Sequence, residues 1–166
     1  MSLPQTTAGY ALDPDEGEAL WSGGALILVK ATGAQTQGRL TAAEMVAPKG
    51  AALPLHVHRG EDELFVVLAG EIRFQLGEAV IEGVPGSLVY GARAVPHSLR
   101  IESPEARMLL LVGPAGIEEY LREGGKPARF LGLPPADEQF PDPEAIMKIA
   151  ARYGQDIIGP PVPPRG

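Results

Sequence analysis

The sequence predicts an all-β barrel or sandwich that is followed by short helices. Short apolar runs recur along most of the chain, and turn residues separate them, which is typical of closely spaced strands. The 166 residues include 21 glycines and 17 prolines, which are spread between these runs rather than gathered in one linker. After roughly residue 115 the apolar residues change to the three-to-four spacing of a helix.

The first part of the chain is predicted to be an arm that leads into two strands. Residues 1–24 show no strand pattern and are interpreted as an irregular arm. Residues 25–31 are mostly apolar, which predicts a strand that is covered on both faces. A second strand is expected over residues 36–46, and the Pro-Lys-Gly sequence at 48–50 ends it.

The middle of the chain is predicted to contain the other strands of the β domain. The His-x-His strand at 56–58 comes first, and the strands after it are expected at 64–68, 72–76, 79–82, 87–90, 97–101 and 107–112. Residues 69–71 and 77–78 are interpreted as tight hairpin turns between consecutive strands. In residues 97–101, alternation places His97, Leu99 and Ile101 on the inward face.

Two helices and an extended tail are predicted at the C-terminal end. Residues 115–124 form a short helix that ends at a glycine. Asp142 caps a second helix, Pro143 takes its first position and Gly154 ends it. Residues 160–164 read Pro-Pro-Val-Pro-Pro and predict an extended tail.

Composition and charge exclude several classes of function. The net charge of −7 argues against a nucleic-acid-binding protein, whose affinity depends on Lys and Arg at the phosphates. No apolar run is long enough to span a membrane, and the N-terminus lacks a signal-peptide pattern. The absence of cysteine excludes disulfides and thiolate ligands, and it is compatible with the cytoplasmic location that we expect.

A cluster of histidines and one glutamate predicts a metal site. His56 and His58 point to the same side of a strand because they are two residues apart. If the next strand pairs with this one and turns Glu63 inward, two imidazoles and a carboxylate converge, and His97 is a fourth candidate. All three histidines of the chain are then used. The alternative is that each histidine is an ordinary core or surface residue, whereas Glu61 and Asp62 are interpreted as solvated loop charges.

These residues resemble the two sequence motifs of the cupin family. The first motif, G-x5-H-x-H-x4-E-x6-G, is matched with every spacing kept at Gly50, His56, His58, Glu63 and Gly70. The second motif, G-x5-P-x-G-x2-H-x3-N, is matched at its first glycine and its histidine, whereas other residues replace its proline, second glycine and asparagine. Its five positions are Gly86, Ala92, Ala94, His97 and Ile101.

The resemblance implies a fold and a domain organisation. It implies a cupin jelly-roll barrel, a double-stranded β-helix, at residues 25–113 with the arm at 1–24 before it. Short helices and the proline-rich tail at 114–166 are expected to pack on this barrel. No internal repeat indicates a second barrel. The C-terminal pattern of Gly-Pro-Ala-Gly-Ile-Glu, Arg-Tyr-Gly and Gly-Pro-Pro looks like the small cupins that are similar to quercetin 2,3-dioxygenase.

The predicted site suits one divalent ion and an apolar substrate. Three neutral imidazoles and a carboxylate accept iron, manganese, nickel, cobalt, copper or zinc. The resemblance implies a dioxygenase that acts on an aromatic or enolisable small molecule, with Glu63 as both ligand and proton acceptor. The predicted pocket residues are apolar: Phe65, Phe74, Leu99 and Ile101. Arg93 and Arg100 could attract an anion at the rim, although a solvated surface is the favoured interpretation for both.

Two other classes of function remain open from the sequence. A metal-dependent isomerase or epimerase would use the ion as a Lewis acid, but it would need polar pocket residues for sugar hydroxyls, and the sequence offers few. A non-catalytic module that binds a metal or a small molecule is the other alternative, because the second motif has lost three residues. A symmetric homodimer is the expected assembly.

Overall fold

Two antiparallel sheets face each other across an apolar core. The computed structural model describes residues 2–166. The strands are β1 (Glu18–Ser22), β2 (Ala25–Ala31), β3 (Thr41–Pro48), β4 (Ala52–His58), β5 (Asp62–Ala69), β6 (Ile72–Leu76), β7 (Ala79–Gly83), β8 (Leu88–Gly91), β9 (His97–Ile101), β10 (Glu105–Gly113), β11 (Lys126–Pro127) and β12 (Gln155–Gly159). The helices are α1 (Gly33–Thr36), α2 (Ile117–Gly124) and α3 (Pro143–Arg152). No helix within the described residues is long and apolar enough to cross a membrane.

The order of the strands in the two sheets is that of a jelly roll. The first sheet has the order β11-β1-β2-β3-β10-β5-β8, and the second has the order β12-β4-β9-β6-β7. Inward residues such as Phe65, Val67, Phe74 and Leu99 form the core between the sheets. The predicted all-β jelly roll with short C-terminal helices is therefore confirmed.

The N-terminal region departs from the sequence prediction in two places. Part of the expected irregular arm is strand β1, which pairs with β2 from Glu18↔Val29 to Ser22↔Ala25. Gly23 and Gly24 both have positive φ, at 55° and 85°, which is the turn chemistry that closes a two-residue hairpin. The second strand begins at Thr41 rather than residue 36, because Thr32 and Gln35 form a capping box that starts the helical turn α1.

The connection at Gly70 is a crossing between sheets rather than a hairpin. β5 pairs with β10 and β8 in the first sheet, whereas β6 pairs with β9 and β7 in the second. Gly70 has φ of 79°, and a Cβ there would lie 2.3 Å from the carbonyl oxygen of Glu105. A residue with a side chain would therefore collide with β10 at this crossing. The second predicted hairpin, between β6 and β7, is confirmed.

The last part of the C-terminal region joins the second sheet, whereas β11 belongs to the first. Helix α3 begins as predicted, with the Asp142 carboxylate accepting a hydrogen bond from the amide of Ala145 at 2.8 Å. Strand β12 was not predicted, because its Gln-Asp-Ile-Ile-Gly sequence is short and lacks alternation. It pairs with β4, with Gln155 opposite His58 and Ile157 opposite His56. The strand that carries two candidate ligands is thus covered on one edge by β12.

Candidate metal centre

The four predicted ligands converge inside the barrel. β4 supplies His56 and His58, β5 supplies Glu63 and β9 supplies His97. One atom from each side chain lies within 4.8 Å of the corresponding atom of every other. All four residues are buried, with exposures of 6% for His56 and 1–2% for the others. These four residues are called the ligand set below.

The route by which the ligands meet differs from the predicted one. The prediction that the His-x-His strand pairs with the Glu63 strand is wrong, because β4 pairs with β9 and β12. His56 lies opposite His97 within the second sheet, and Glu63 projects from the facing sheet. The carboxylate therefore reaches the imidazoles across the barrel interior.

The Glu63 carboxylate is the centre of the ligand set. Its Oε2 lies 2.8 Å from Nε2 of His97, 3.1 Å from Nε2 of His58 and 3.9 Å from Nε2 of His56. All three imidazoles thus direct the same ring nitrogen to one point. Such convergence places three nitrogen lone pairs and an anionic oxygen where a cation would be shared.

Backbone carbonyls fix the rings of two histidines. Nδ1 of His56 lies 2.8 Å from the carbonyl oxygen of Pro54, and Nδ1 of His97 lies 3.0 Å from that of Val95. A carbonyl only accepts hydrogen bonds, so each Nδ1 carries the proton and donates it. With Nδ1 as the donor, Nε2 is the atom of each ring that points into the barrel, and it is the atom that would bind a metal once it has no proton.

His58 is held in a different way from the other two histidines. No hydrogen bond is made by either of its ring nitrogens, although both are buried. Its Nδ1 lies 3.6 Å from Oε2 of Glu61, and that carboxylate oxygen is buried and unpaired as well. The interpretation of Glu61 as a solvated loop charge is therefore wrong, because its side chain is only 17% exposed. The only feature of the sequence that could have indicated this contact is that Glu61 follows His58 by three residues.

Burial and charge shift the pKa values of the ligand set in opposite directions. Burial lowers the pKa of His56 to about 4, against the attraction of Glu63. Burial would also lower the pKa of His58, but the carboxylates of Glu63 and Glu61 outweigh it and the pKa is raised. Burial would raise the pKa of Glu63, but contacts with His58 and His97 hold it well below its usual range. Glu63 is thus an anion at neutral pH.

The geometry of the ligand set fits a divalent ion. Ligands bound at about 2.1 Å and at right angles to one another lie about 3 Å apart. The separations of 2.8 and 3.1 Å match this value. A cation would also satisfy the buried Nε2 of His58, which has no hydrogen-bond partner among the described residues. Neutral imidazoles with one carboxylate are the ligands that borderline first-row ions accept.

The predicted substrate pocket residues lie beside the ligand set but inside the packed core. Phe65, Phe74, Leu99 and Ile101 are 1–2% exposed and belong to the main hydrophobic cluster. The Phe65 ring lies 6.2 Å from that of His97 and 5.4 Å from that of Phe74, centre to centre. All four side chains are therefore packed in the core between the sheets, with the Phe65 ring beside that of His97. A cavity of about 430 Å³ lies elsewhere, between α1 and α2.

The two arginines proposed for the rim are engaged by the protein. Arg93 pairs with the Asp62 carboxylate, and this contact holds the pKa of Asp62 well below its usual range. Asp62 is thus one half of an ion pair rather than a free loop charge. Nε of Arg100 donates to the carbonyl of Val162 at 2.7 Å. Both guanidinium groups thus have partners within the protein, rather than being the freely solvated side chains that the sequence favoured.

The altered positions of the second motif keep its backbone shape. Ala94, at the second glycine position, has φ of 62°, the left-handed conformation that favours glycine. Its amide donates to the carbonyl of His58 at 2.8 Å and so joins the loop before β9 to the end of β4. Ile101 lies in the apolar core in place of the motif's asparagine. The candidate ligand His97 therefore still converges with His56, His58 and Glu63 despite the three replacements.

Comparisons with known proteins agree with this architecture. A family model described as a cupin domain matches residues 43–113. Quercetin 2,3-dioxygenase of Bacillus subtilis is 27% identical over 125 residues, which cover 75% of this chain and 37% of that protein. The chain thus spans little more than a third of that relative's length.

Solved structures with low sequence identity share the fold. KdgF from a Halomonas species has a TM-score of 0.61 at 18% identity, and the match covers 68% of this chain and 99% of that one. A predicted oxalate decarboxylase from Thermotoga maritima has a TM-score of 0.59 at 18% identity, over 63% and 99% of the two chains. An RmlC-like cupin from Shewanella frigidimarina has a TM-score of 0.57 at 17% identity, over 67% and 96%.

Proposed function

This chain belongs to the cupin superfamily, and on that basis we propose that it is a metal-dependent dioxygenase that acts on an aromatic or enolisable small molecule. The observation that carries the proposal is the ring of three inward Nε2 atoms around the Glu63 carboxylate. The similarity to quercetin 2,3-dioxygenase supports the choice of reaction over others that the fold hosts.

The proposed cofactor is one divalent ion held by His56, His58, Glu63 and His97. Iron, manganese, nickel, cobalt, copper and zinc all suit these ligands. Such an ion, when bound, supplies a positive charge that stabilises a substrate enolate or phenolate and a centre at which dioxygen reacts. With Glu63 ionised, the loaded ligand set carries a net charge of about +1, which favours the anionic form of the substrate.

The chain's own residues contribute orientation, proton transfer and exclusion of water. Glu63 is proposed as the catalytic residue: its carboxylate accepts the proton from the substrate hydroxyl as the anion binds. His56 is the most exposed member of the ligand set, at 6%, so we place the substrate entry on its side. The proposed pocket residues, Phe65, Phe74, Leu99 and Ile101, belong to the packed core and exclude water from the interior of the barrel.

The test begins with metal content and oxygen uptake. Protein purified from its native host should contain one divalent ion per chain, and with a flavonol it should consume dioxygen and release carbon monoxide. Glu63→Gln keeps the size of the side chain but removes its charge, so it should lose both the ion and the activity. Glu78→Gln is a matched control, because Glu78 is exposed and lies in the β6–β7 turn.

Other results would contradict the dioxygenase proposal. Full occupancy by a redox-active ion without oxygen uptake on flavonols or other enolisable substrates would overturn it. Isomerisation of a sugar under anaerobic conditions would instead indicate the isomerase alternative. Neither activity in a metal-loaded protein would indicate a binding module.

We also propose that the chain is a homodimer in the cytoplasm. An antiparallel sheet with one wet face normally alternates apolar and polar residues, but the outer face of the first sheet is apolar as well. The apolar residues that face outward on β5, β8 and β10 are Leu64, Val66, Leu68, Leu88, Tyr90, Leu109 and Leu111, whereas Asp62, Glu105 and Arg107 are the charged residues at the ends of β5 and β10. The charges at its border, Glu44 and Arg107, pair with each other. A largely apolar face of this kind is complementary to itself about a twofold axis.

The oligomeric state can be measured by sedimentation. Leu88 is 61% exposed on this face, so Leu88→Lys should shift the protein to a monomer. Val80 is 48% exposed on strand β7 of the other sheet, and Val80→Lys should leave the mass unchanged. A monomeric wild type, or equal effects of the two variants, would contradict the proposed interface.

A further inference from the structure

The three histidines of the ligand set are not oriented alike. His56 and His97 each have an Nδ1 that is fixed by a carbonyl two residues earlier in the chain. His58 has no such carbonyl partner, although it is the most deeply buried of the three at 1% exposure. Its ring must nevertheless direct Nε2 at the same point, where it lies 3.1 Å from the Glu63 carboxylate. Another group therefore has to set its orientation.

Glu61 is the group that faces the free side of the His58 ring. Its Oε2 lies 3.6 Å from Nδ1 of His58, and the two atoms are both buried without a hydrogen-bond partner. A buried carboxylate oxygen and a buried ring nitrogen, each unsatisfied, are costly unless they pair with each other. A closure of about 0.7 Å would bring them to hydrogen-bonding distance.

The C-terminal segment holds Glu61 in this place. The amide of Arg59 donates to the carbonyl of Gly154 at 2.8 Å, and Gln155 pairs with His58 across the β4–β12 ladder. Both carboxylate oxygens of Glu61 lie within 4 Å of a Cβ position at Gly154. The loop after β4 and the turn after α3 thus enclose the side chain and keep it beside the ring.

We propose that Glu61 is a positioning residue that orients His58 toward the bound ion by accepting a hydrogen bond from its Nδ1. The inference rests on the proposed metal site. A carboxylate behind a ligating imidazole fixes the ring's tautomer and makes its other nitrogen a better ligand. Glu61 acts only through His58 and touches neither the ion nor a substrate.

The test compares metal affinities of variants at neighbouring carboxylates. Glu61→Ala should weaken zinc or manganese binding by about 10–100-fold in a chelator competition. Glu61→Gln loses the charge but keeps an acceptor oxygen, so it should recover most of that affinity. Asp62→Asn removes the neighbouring charge at the start of β5, whose partner is Arg93, and should leave the metal affinity within about twofold of wild type.

A second measurement reads the ring itself. Nitrogen-15 NMR of the zinc-loaded protein should show an exchange-protected Nδ1 proton on His58 in the wild type, and Glu61→Ala should remove that protection. Equal affinities of Glu61→Ala and wild type would overturn the inference, as would an equal loss in Asp62→Asn. An unprotected His58 proton in the zinc-loaded wild type would also overturn it.

The failure of the inference is distinguishable from that of the proposed function. A wild type that binds no divalent ion contradicts the metal site itself. A wild type that binds one ion per chain, with Glu61→Ala unchanged, leaves the metal site standing and removes only the role of Glu61.

Discussion

The backbone amide of Val162 donates a hydrogen bond to the hydroxyl of Ser98 at 3.0 Å. Ser98 directly follows His97 on β9, and Arg100 two residues later donates to the Val162 carbonyl at 2.7 Å. Both the amide and the carbonyl of Val162 thus bind the proline-rich tail to strand β9, which carries the candidate ligand His97. The side chain of Val162 is 1% exposed.

Truncation of Val162 should therefore destabilise the whole molecule. Val162→Ala removes two buried carbon atoms and leaves a cavity, so the free energy of unfolding should fall by about 2 kcal/mol. Val80→Ala makes the same chemical change at a side chain that is 48% exposed, and its effect should lie within about 0.5 kcal/mol. Urea unfolding measures both. Equal effects would show that the tail does not contribute to the core.

The buried carboxylate of Glu118 in α2, which contacts residues of the N-terminal part of the chain, should make stability depend on pH. Glu118 accepts hydrogen bonds from the amides of Gly33 and Gly116, each at 2.8 Å, and from the hydroxyl of Thr41. Burial would raise the pKa of Glu118, but these hydrogen bonds outweigh it and the pKa is lowered. Ionised Glu118 therefore stabilises the folded state fully above its unfolded-state pKa of about 4.3. This stabilisation is lost as pH falls through the lower pKa that Glu118 has in the folded state.

The pH dependence can be tested with an amide at this position. Glu118→Gln should lower the free energy of unfolding by about 2 kcal/mol at pH 7, because the charged acceptor is lost. The difference in the free energy of unfolding between wild type and Glu118→Gln should decrease as pH falls below about 4. Glu119→Gln is the control, because that neighbouring side chain is 55% exposed. A gap that stays constant with pH, measured by urea unfolding, would contradict this account.

The sequence predicted which four residues converge, but it did not predict which strands pair to bring them together. The spacing of His56 and His58 fixes their common side through the two-residue repeat of a strand, which is a local property. One partner of β4 is instead strand β12, which lies almost a hundred positions away and carries no alternation that would predict it. The position of the Glu61 side chain also depends on residues that are distant in the sequence. Its carboxylate is enclosed only because the turn at Gly154 folds over it.

The barrel should fold without its ion. The main hydrophobic cluster consists of apolar side chains and contains no member of the ligand set. His58→Ala should therefore lose most of the bound metal and still unfold cooperatively, and wild type should do the same after removal of the ion with a chelator. Metal analysis and a urea unfolding curve of the same sample measure both properties. Loss of cooperative unfolding would show that the ion is structural rather than catalytic.

The left-handed residue before His97 offers a stabilising substitution. Ala94 has φ of 62°, and its amide holds the carbonyl of His58. A left-handed conformation costs a residue with a Cβ about 1–2 kcal/mol, and glycine avoids this cost. Glycine also has more conformational freedom in the unfolded chain, which offsets about 0.5–1 kcal/mol of the gain. Strain is the larger of the two effects.

Ala94→Gly should accordingly raise the free energy of unfolding by about 0.5 kcal/mol, which is about 1–2 °C in Tm for a chain of this size. Ala92→Gly is the control in the same loop. Ala92 does not have a positive φ, so the substitution brings only the entropic cost and should lower Tm. Calorimetry of the two variants beside wild type decides the matter. A lower Tm in both would mean that the loop carries no strain at Ala94 and that the motif's glycine was replaced without cost.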